Sequence, residues 1–525
     1  MYFQDRIWTG TNENGEKLFL LPKMANRHGL IAGATGTGKT VTLKVLAESF
    51  SDVGVPVFLA DVKGDLAGMI KPGTDSEDMQ RRMEKFGLPE NGFAFRSYPT
   101  TIYDLYGQKG IPARTTISEM GPLLLSRILE LTDVQSDLLS IAFRIADDHN
   151  LLLVDTKDLK AILSYMAENS KEFASDYGNI NKTSINTIIR SIAAMEIAGG
   201  ENFFGEPALD IRDFLTTGEG GRGMISILDS QTLVNNGTLY SIFLLWMLSE
   251  LFETMPEVGD LEKPKLVFFF DEAHLLFKNA SKTLQEKIEQ VVKLIRSKGV
   301  GIYFVTQNPR DIPDGVLSQL GNKIQHALHA YTPAEQKAVK AAAQAFRVNP
   351  AFDTEETILS LATGEAVVSF LQEDGTPGIA EKISMLPPQS RMGGIDDAER
   401  DAAVKASLLY SKYYAAVDPD SAYEFLQRKG LEDAAAAEQA KADAAAAKAK
   451  EKEEQAAVRK AEKEAQAKAN QAKRAAKSVG NTVVGTVGRE LGKTVGGSFG
   501  KFGKTLGGNV GASLGRGLFS TLFKS

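Results

Sequence analysis

The 525-residue sequence contains no cysteine. This absence excludes disulfides, cysteine-ligated zinc and thiol catalysis, and it suits a reducing compartment. No run of about 18 uninterrupted apolar residues is present, so we expect no ordinary transmembrane helix. The first residues, Met1 to Arg6, lack the basic and apolar regions of a secretory signal. We therefore expect a cytoplasmic protein that is at most peripheral to a membrane.

The bulk composition is typical of a soluble globular protein with a sizeable core, at 43% hydrophobic and 24% charged residues. The length allows two or three domains, or one large α/β core with insertions. The formal net charge of −7 argues against a surface generally coated with nucleic acid. It does not exclude DNA binding, because a ring can confine its basic residues to a narrow pore.

The segment Gly33-Ala34-Thr35-Gly36-Thr37-Gly38-Lys39-Thr40 fits the P-loop pattern G-x-x-x-x-G-K-[ST] at every fixed position. The flanking patterns predict a strand before it and a helix after it. In such a loop, backbone N–H groups point inward at a phosphate, and the helix N-terminus adds its positive dipole. Lys39 is expected to reach the β- and γ-phosphates, and the Thr40 hydroxyl to bind Mg²⁺. All eight residues are therefore predicted to bind a nucleoside triphosphate.

A second motif, Leu266 to Glu272, predicts a central strand that is buried on both faces and ends in two acids. Asp271 is expected to bind Mg²⁺, and Glu272 to act as general base toward the attacking water. The following strand, Gly301 to Thr306, brings Gln307 to the same sheet edge. Its amide is expected either to contact the γ-phosphate or orient water, or to be only a satisfied helix cap or turn residue.

Periodicity predicts an α/β core with a mainly parallel sheet, spanning residues 1–395, and a helical insertion at about 112–215. Residues 396–430 are predicted to form a helical docking segment, with four aromatic side chains available for docking: Tyr410, Tyr413, Tyr414 and Phe425. Further strands are predicted over 55–61, 93–98, 224–229, 323–329 and 364–371.

Two compositional segments follow this core. Residues 431–478 are rich in Ala, Lys and Glu, a composition that predicts a helix or linker with little apolar surface to bury. Such a helix is expected to be either single and exposed to solvent or part of a weak coiled coil. Residues 479–525 form a basic tail in which glycines recur at steps of three and four, a spacing that permits close helix packing. This pattern predicts that the tail associates with itself or contacts a membrane surface or protein partner. The alternative is a flexible tail.

Together with the two nucleotide motifs, four short segments resemble bacterial HerA-like ATPases of the YjgR type, in the HerA/FtsK superfamily. The resemblance covers roughly residues 1–395 and implies a RecA-like P-loop NTPase core. It also implies ATP and Mg²⁺ as cofactors, and a homo-oligomeric ring, typically a hexamer, that acts on double-stranded DNA. The segments are Asp61–Leu66 (DVKGDL), Met120–Leu124 (MGPLL), Asp155–Leu159 (DTKDL) and Gly364–Ala366 (GEA).

In the proteins that the chain resembles, an arginine from the neighbouring subunit contacts the γ-phosphate. Arg296 occupies the corresponding place, between the second motif and the glutamine strand, with an ordinary surface charge as the alternative. Asp271 to His274 also spells the DEAH box of another helicase class, whose other motifs are not recognisable here. His274 is expected to contact Glu272 rather than a metal. Only about 30 residues precede Gly33, so we expect no complete HerA-type N-terminal barrel.

The predicted function is a Mg²⁺-dependent ATP-hydrolysing motor that translocates or remodels double-stranded DNA, as a helicase does. Its predicted catalytic residues are Glu272, Lys39, Gln307 and Arg296. ATP is expected over GTP, because the resemblance implies it and no guanine-reading motif is present. The alternative is a nucleotide-switched assembly or scaffold protein whose glycine-rich tail docks on a membrane or protein partner.

Overall fold

The computed structural model describes residues 1–233, 237–259, 261–278 and 282–478. The chain divides into two compact units after Leu431. The predicted glycine-rich tail, 479–525, lies outside the described residues. Within the described part of the chain, no helix combines the length and the apolar character that crossing a membrane requires.

The described strands form one mixed sheet with the order β1-β2-β13-β12-β11-β4-β10-β9-β5-β8-β6-β7, in which β3 pairs with β2. All pairings from β11 to β7 are parallel, whereas those from β11 to β1 are antiparallel. The strands are β1 (Tyr2–Phe3), β2 (Arg6–Asn12), β3 (Lys17–Leu20), β4 (Gly29–Ala32), β5 (Val57–Asp61), β6 (Thr100–Asp104), β7 (Ile111–Pro112), β8 (Ile225–Asp229), β9 (Leu266–Phe270), β10 (Val300–Thr306), β11 (Asn322–Gln325), β12 (Glu365–Ser369) and β13 (Glu381–Met385).

Helices cover both faces of the parallel part, and its central strands β5, β8, β9 and β10 are buried at every position. In β9, Phe268 and Phe270 pack into the core on one face, while Val267 and Phe269 pack into the core on the other. The described helices are α1 (Lys39–Asp52), α2 (Glu77–Phe86), α3 (Ile117–Ile128), α4 (Asp133–Asp148), α5 (Thr156–Glu168), α6 (Ser170–Tyr177), α7 (Lys182–Ile197), α8 (Gly237–Thr254), α9 (His274–Lys278), α10 (Lys282–Ile295), α11 (Asp314–Leu317), α12 (Pro333–Gln344), α13 (Thr354–Ser360), α14 (Asp397–Ala406), α15 (Tyr410–Tyr413) and α16 (Ala422–Ser478).

The helical insertion comprises α3 to α7, between β7 and β8 in the chain. A capping box starts α3, in which the Thr116 hydroxyl accepts the Glu119 N–H at 3.1 Å. The apolar face of α7, with Ile185, Ile188 and Ile192, is fully buried in the same core as Phe268. The predicted fold class is therefore confirmed: an α/β core with a mostly parallel sheet, a helical insertion and a helical C-terminal region.

The strand predicted over 93–98 is wrong, because the nearest strand, β6, begins at Thr100. The Arg96 N–H donates to the Gln389 carbonyl at 3.1 Å, and the Tyr98 N–H donates to the Met69 carbonyl at 2.9 Å. These bonds go to two separate loops rather than to one neighbouring strand, so no ladder forms. The strands predicted over 323–329 and 364–371 exist as the shorter β11 and β12.

The segment 396–430 packs on the core of its own chain. Arg400 of α14 forms a buried ion pair with Asp229 at 2.6 Å, at the carboxyl end of β8. Of the aromatic residues predicted to dock, Tyr413 is fully buried and contacts Asp213, which lies between α7 and β8, whereas Tyr414 is 51% exposed. Its neighbour Tyr410 stacks on the Tyr414 ring at 4.4 Å. Phe425, the fourth predicted docking aromatic, is 45% exposed.

In the second unit, α16 continues as one helix to Ser478. Every side chain described from 432 to 470 is exposed. An Ala-, Lys- and Glu-rich composition favours helix but supplies almost no large apolar side chain to bury.

Candidate active site

The P-loop connects β4 to α1, and two of its glycines are required by geometry. Gly38, at the N-cap of α1, has φ 112°, a value that other residues rarely adopt. A Cβ on Gly33 would lie 2.5 Å from the Cβ of His326. The loop is also tied to β12, because the Gly364 N–H donates to the Thr37 carbonyl at 3.0 Å.

His326 lies directly behind the loop and is fully buried. Its Nε2 is 2.9 Å from the Thr42 hydroxyl on α1, and its Nδ1 is 2.8 Å from the Glu365 carbonyl oxygen. Burial lowers the pKa of His326 to about 4, so the imidazole is neutral near pH 7. This side chain holds the P-loop helix against the start of β12.

The Lys39 ammonium lies across the loop. Its Nζ donates to the carbonyl oxygens of Gly33 at 2.6 Å and Ala34 at 2.9 Å. Burial, followed by the nearby Lys63 ammonium, lowers the pKa of Lys39. Thr40 is partly exposed in the first turn of α1, beside Lys39. The loop thus combines a curled backbone, a cation and a hydroxyl, as a phosphate site requires.

Strand order brings the remaining predicted residues to this loop. β10 lies between β4 and β9, and its residues Thr306 and Phe304 pair with Ala32 and Phe270 respectively. One residue beyond this ladder, Gln307 lies between the start of the P-loop and the acids that follow β9. Because all three strands are parallel, their carboxyl ends form one ligand-binding edge.

Asp271 follows the last residue of β9 and is 4% exposed. Burial, followed by the charge of Glu272, raises the pKa of Asp271 to about 7. Asp61, at the end of the adjacent β5, accepts the N–H groups of Gly64 and Leu66 at 2.8 and 2.9 Å. The Asp271 carboxylate accepts the Glu272 N–H at 2.9 Å. Of these two buried acids, Asp271 therefore better fits a ligand of Mg²⁺, which prefers carboxylate and hydroxyl oxygens.

Glu272 adopts φ 47°, a left-handed conformation that costs a non-glycine residue about 1–3 kcal/mol. Its carboxylate lies 2.7 Å from the Lys63 Nζ, 3.3 Å from the Gln307 Nε2 and 3.3 Å from the His274 Nδ1. Burial alone would raise the pKa of Glu272, but Lys63, Gln307 and His274 together outweigh burial and hold this pKa below its usual value. The site therefore contains an ionised carboxylate with fixed orientation, as a general base requires.

Sequence reasoning did not assign Lys63 and His326 to the site. Lys63 lies in a segment that follows a strand ending in an acid, so its place at the sheet edge was detectable. Its pairing with Glu272 was not detectable, because it depends on β5 and β9 being neighbours. His326 carries no local sequence signal.

Arg296 lies away from the other predicted catalytic residues. It is in a 3-10 turn shortly before β10. Burial, with a smaller contribution from the charge of Arg296, lowers the pKa of His28, which precedes β4. Gln307 follows the other end of the same seven-residue strand, about 20 Å away. Arg296 is thus at the opposite sheet edge from the P-loop of its own chain.

The P-loop strand β4 has β10 and β11 as neighbours, and the acid-bearing strand β9 lies one position further. This order, with the glutamate and glutamine at one edge, defines a RecA-like P-loop NTPase. The family model described as "Helicase HerA-like C-terminal" matches residues 6–504. The chain belongs to this HerA-like helicase family.

Curated relatives in this family have low sequence identity. A probable helicase of Methanocaldococcus jannaschii is 24% identical over 370 residues, covering 66% of this chain and 64% of the relative. The DNA double-strand break repair helicase HerA of Sulfurisphaera tokodaii is 25% identical over 362 residues, covering 65% and 62%. The chain thus spans slightly less than two thirds of the length of these relatives.

Two solved structures have a partial structural likeness to this chain. The plasmid coupling protein TrwB in complex with ADP and Mg²⁺ is 15% identical, with a TM-score of 0.46 and coverage of 71% of this chain and 88% of that chain. VirB4 of Thermoanaerobacter pseudethanolicus is 16% identical, with a TM-score of 0.44 and coverage of 73% and 98%.

Proposed function

We propose that the protein hydrolyses ATP in a Mg²⁺-dependent reaction with Glu272 as general base. The observation that carries this proposal is the Glu272 carboxylate, which is almost fully buried, paired with Lys63 at 2.7 Å and in contact with Gln307. A carboxylate that is buried yet ionised needs such a cationic partner. Its position beside the P-loop suits removal of a proton from a water that attacks the γ-phosphoryl group.

The other predicted residues have complementary roles. Thr40 and Asp271 would hold Mg²⁺, which, when bound, neutralises charge on the phosphate oxygens. Lys39 and the backbone N–H groups of the loop would stabilise the charge that develops on the γ-phosphoryl. Gln307, which donates to the Glu272 carboxylate, would fix the orientation of the base.

We further propose that copies of this chain form a ring, of hexameric type, that moves along double-stranded DNA. Family membership supports this proposal, as does the name of the relatives called DNA double-strand break repair helicase HerA. The position of Arg296 also supports it. Arg296 is too far from the P-loop of its own chain, whereas a head-to-tail ring can place one edge of a subunit beside the site of the next.

The test is ATP turnover by wild type and Glu272→Gln, with and without double-stranded DNA, across a salt series. We expect the variant to bind ATP but to lose about 100- to 10,000-fold in turnover, because a positioned base contributes that much. DNA is expected to raise the wild-type rate, and this stimulation should fade with salt as phosphate contacts weaken. Glu90→Gln, which changes an exposed glutamate, is the matched control.

Two results would contradict the proposal at different levels. Undiminished turnover by Glu272→Gln would remove the proposed base. An ATPase that depends on Glu272 but ignores DNA would retain the hydrolytic site and refute the DNA motor. The alternative function, docking through the tail, depends on residues 479–525 and stays a prediction, because these lie outside the described residues.

A further inference from the structure

A cavity of about 190 Å³ adjoins the P-loop, with which it shares Gly38, and none of the side chains proposed to act in hydrolysis lines it. Gly38 and Val41 of the loop and first turn of α1 form one side. Met79 and Arg82 of α2 form another, and Met392 lies at the edge. Pockets that bind drug-sized ligands measure about 300–1,000 Å³. This cavity is smaller, so it suits one flat ring system rather than a whole nucleotide.

The position of the cavity relates it to the phosphate site. Gly38 directly precedes Lys39, and a Cβ on Gly38 would lie 3.3 Å from the Gly364 nitrogen, in the loop before β12. β12 is reached from β4 through β11, whereas Glu272 and Gln307 lie on the other side of β4. A triphosphate bound between Lys39 and Glu272 would therefore leave the cavity for the remainder of the same nucleotide.

The walls of the cavity are suited to an aromatic ring. Met79 and Met385 are almost fully buried, whereas Met392, at the edge of the cavity, is 53% exposed. The Arg82 guanidinium lies beside Gly364, where an added Cβ would be 2.9 Å from Nη2. Planar guanidinium groups stack on aromatic faces, and methionine sulfur packs favourably against them.

Three of the four polar side chains that line the cavity, Ser76, Asp78 and Arg82, already have partners. The fourth, Thr363, is exposed, and its hydroxyl can both donate and accept, so it suits either purine equally. Ser76 accepts the Met79 N–H at 3.2 Å as the N-cap of α2. Asp78 pairs with Arg81 at 3.5 Å and with Arg82 at 3.4 Å. Strong discrimination between similar ligands requires a hydrogen-bonding group that one ligand satisfies and the other leaves unpaired. These walls offer stacking surfaces rather than such groups.

We propose that this cavity binds the nucleobase of the nucleoside triphosphate, stacked between Arg82 and Met392, with little discrimination between adenine and guanine. This inference rests on the proposed nucleotide site and replaces the expectation that ATP is preferred. Arg82 contacts the base and takes no part in hydrolysis.

The test is calorimetric binding of non-hydrolysable ATP and GTP analogues and of tripolyphosphate, each with Mg²⁺. For wild type, the two nucleotides should bind with affinities within about fivefold, because no side chain reads the base edge. Arg82→Ala should weaken both nucleotides by about 2- to 30-fold, the value of a cation–π contact, and leave tripolyphosphate unchanged. Arg81→Ala is the matched control, since Arg81 also pairs with Asp78 but its side chain is 75% exposed.

Three results would overturn the inference while the proposed function stands. Equal weakening of tripolyphosphate by Arg82→Ala would make Arg82 a phosphate-binding residue. Unchanged nucleotide affinity in this variant would remove the base from the cavity. A difference of 100-fold or more between ATP and GTP analogues would require base-edge recognition. Failure of wild type to bind any of the three ligands would instead refute the proposed nucleotide site itself.

Discussion

Replacing His326 by glutamine is expected to make the protein less sensitive to acid. His326 is fully buried behind the P-loop, between the Thr42 hydroxyl and the Glu365 carbonyl. Burial lowers its pKa from 6.5 to about 4, because the core disfavours the imidazolium ion. His28, also deeply buried, has a pKa lowered to about 4 for the same reason.

The direction of the pH effect follows from proton uptake. Below pH 6.5 the unfolded chain binds a proton at His326, while the folded chain does not until about pH 4. The contribution of His326 to stability is therefore complete above pH 6.5 and is lost as the pH falls toward 4. At about 1.36 kcal/mol per pH unit, the difference between the unfolded and folded pKa values of His326 lowers the free energy of unfolding by about 3 kcal/mol in total. About 2 kcal/mol of this is lost by pH 5.

His326→Gln should also lower the free energy of unfolding at pH 7.5, by about 1–3 kcal/mol, because an amide cannot keep both buried hydrogen bonds. The decisive measurement is the decrease in the free energy of unfolding between pH 7.5 and pH 5. This decrease should be about 2 kcal/mol smaller in the variant than in wild type. Urea unfolding followed by tryptophan fluorescence measures it, because Trp8 and Trp246 are both buried.

His329→Gln is the control, since it makes the same substitution three residues away at an exposed side chain. It should leave the acid sensitivity of wild type unchanged. Equal losses of stability on acidification in wild type and His326→Gln would refute the reasoning, because His326 would then bind protons alike in the folded and unfolded chains.

Two further predictions concern turnover. Lys63→Met removes the ammonium that helps to hold the pKa of Glu272 low. This pKa should therefore rise, and ATPase activity should fall mainly on the acid side of its pH profile. Lys63→Arg is the control, and an acid limb that does not shift in Lys63→Met would contradict the prediction. Equal amounts of Lys39→Ala and Arg296→Ala subunits, mixed in one ring, should restore up to about a quarter of wild-type ATPase activity. In a randomly assembled ring, about a quarter of the sites combine an intact Lys39 with an intact Arg296 from the neighbouring subunit. No recovery would assign Arg296 to the surface.

Features that depend on neighbouring residues were predictable from the sequence, whereas features that depend on contacts between distant segments were not. The P-loop was predictable because eight consecutive residues form it. The helical insertion was predictable because apolar residues recur in each of its helices with a period of 3.6 residues. The strand predicted over 93–98 was wrong because a strand also needs a partner. Here the backbone donors of Arg96 and Tyr98 are bonded to two loops from distant parts of the chain.

By itself, the sequence determined the nucleotide motif, the buried strand that carries Asp271 and Glu272, and the glutamine that ends the next strand. These depend on residue type and spacing over short stretches. Only the tertiary structure decided that Lys63 pairs with Glu272, that His326 supports the P-loop, and that Arg296 lies at the far edge of the sheet. Those relations depend on strand order, and strand order results from packing between segments that are remote along the chain.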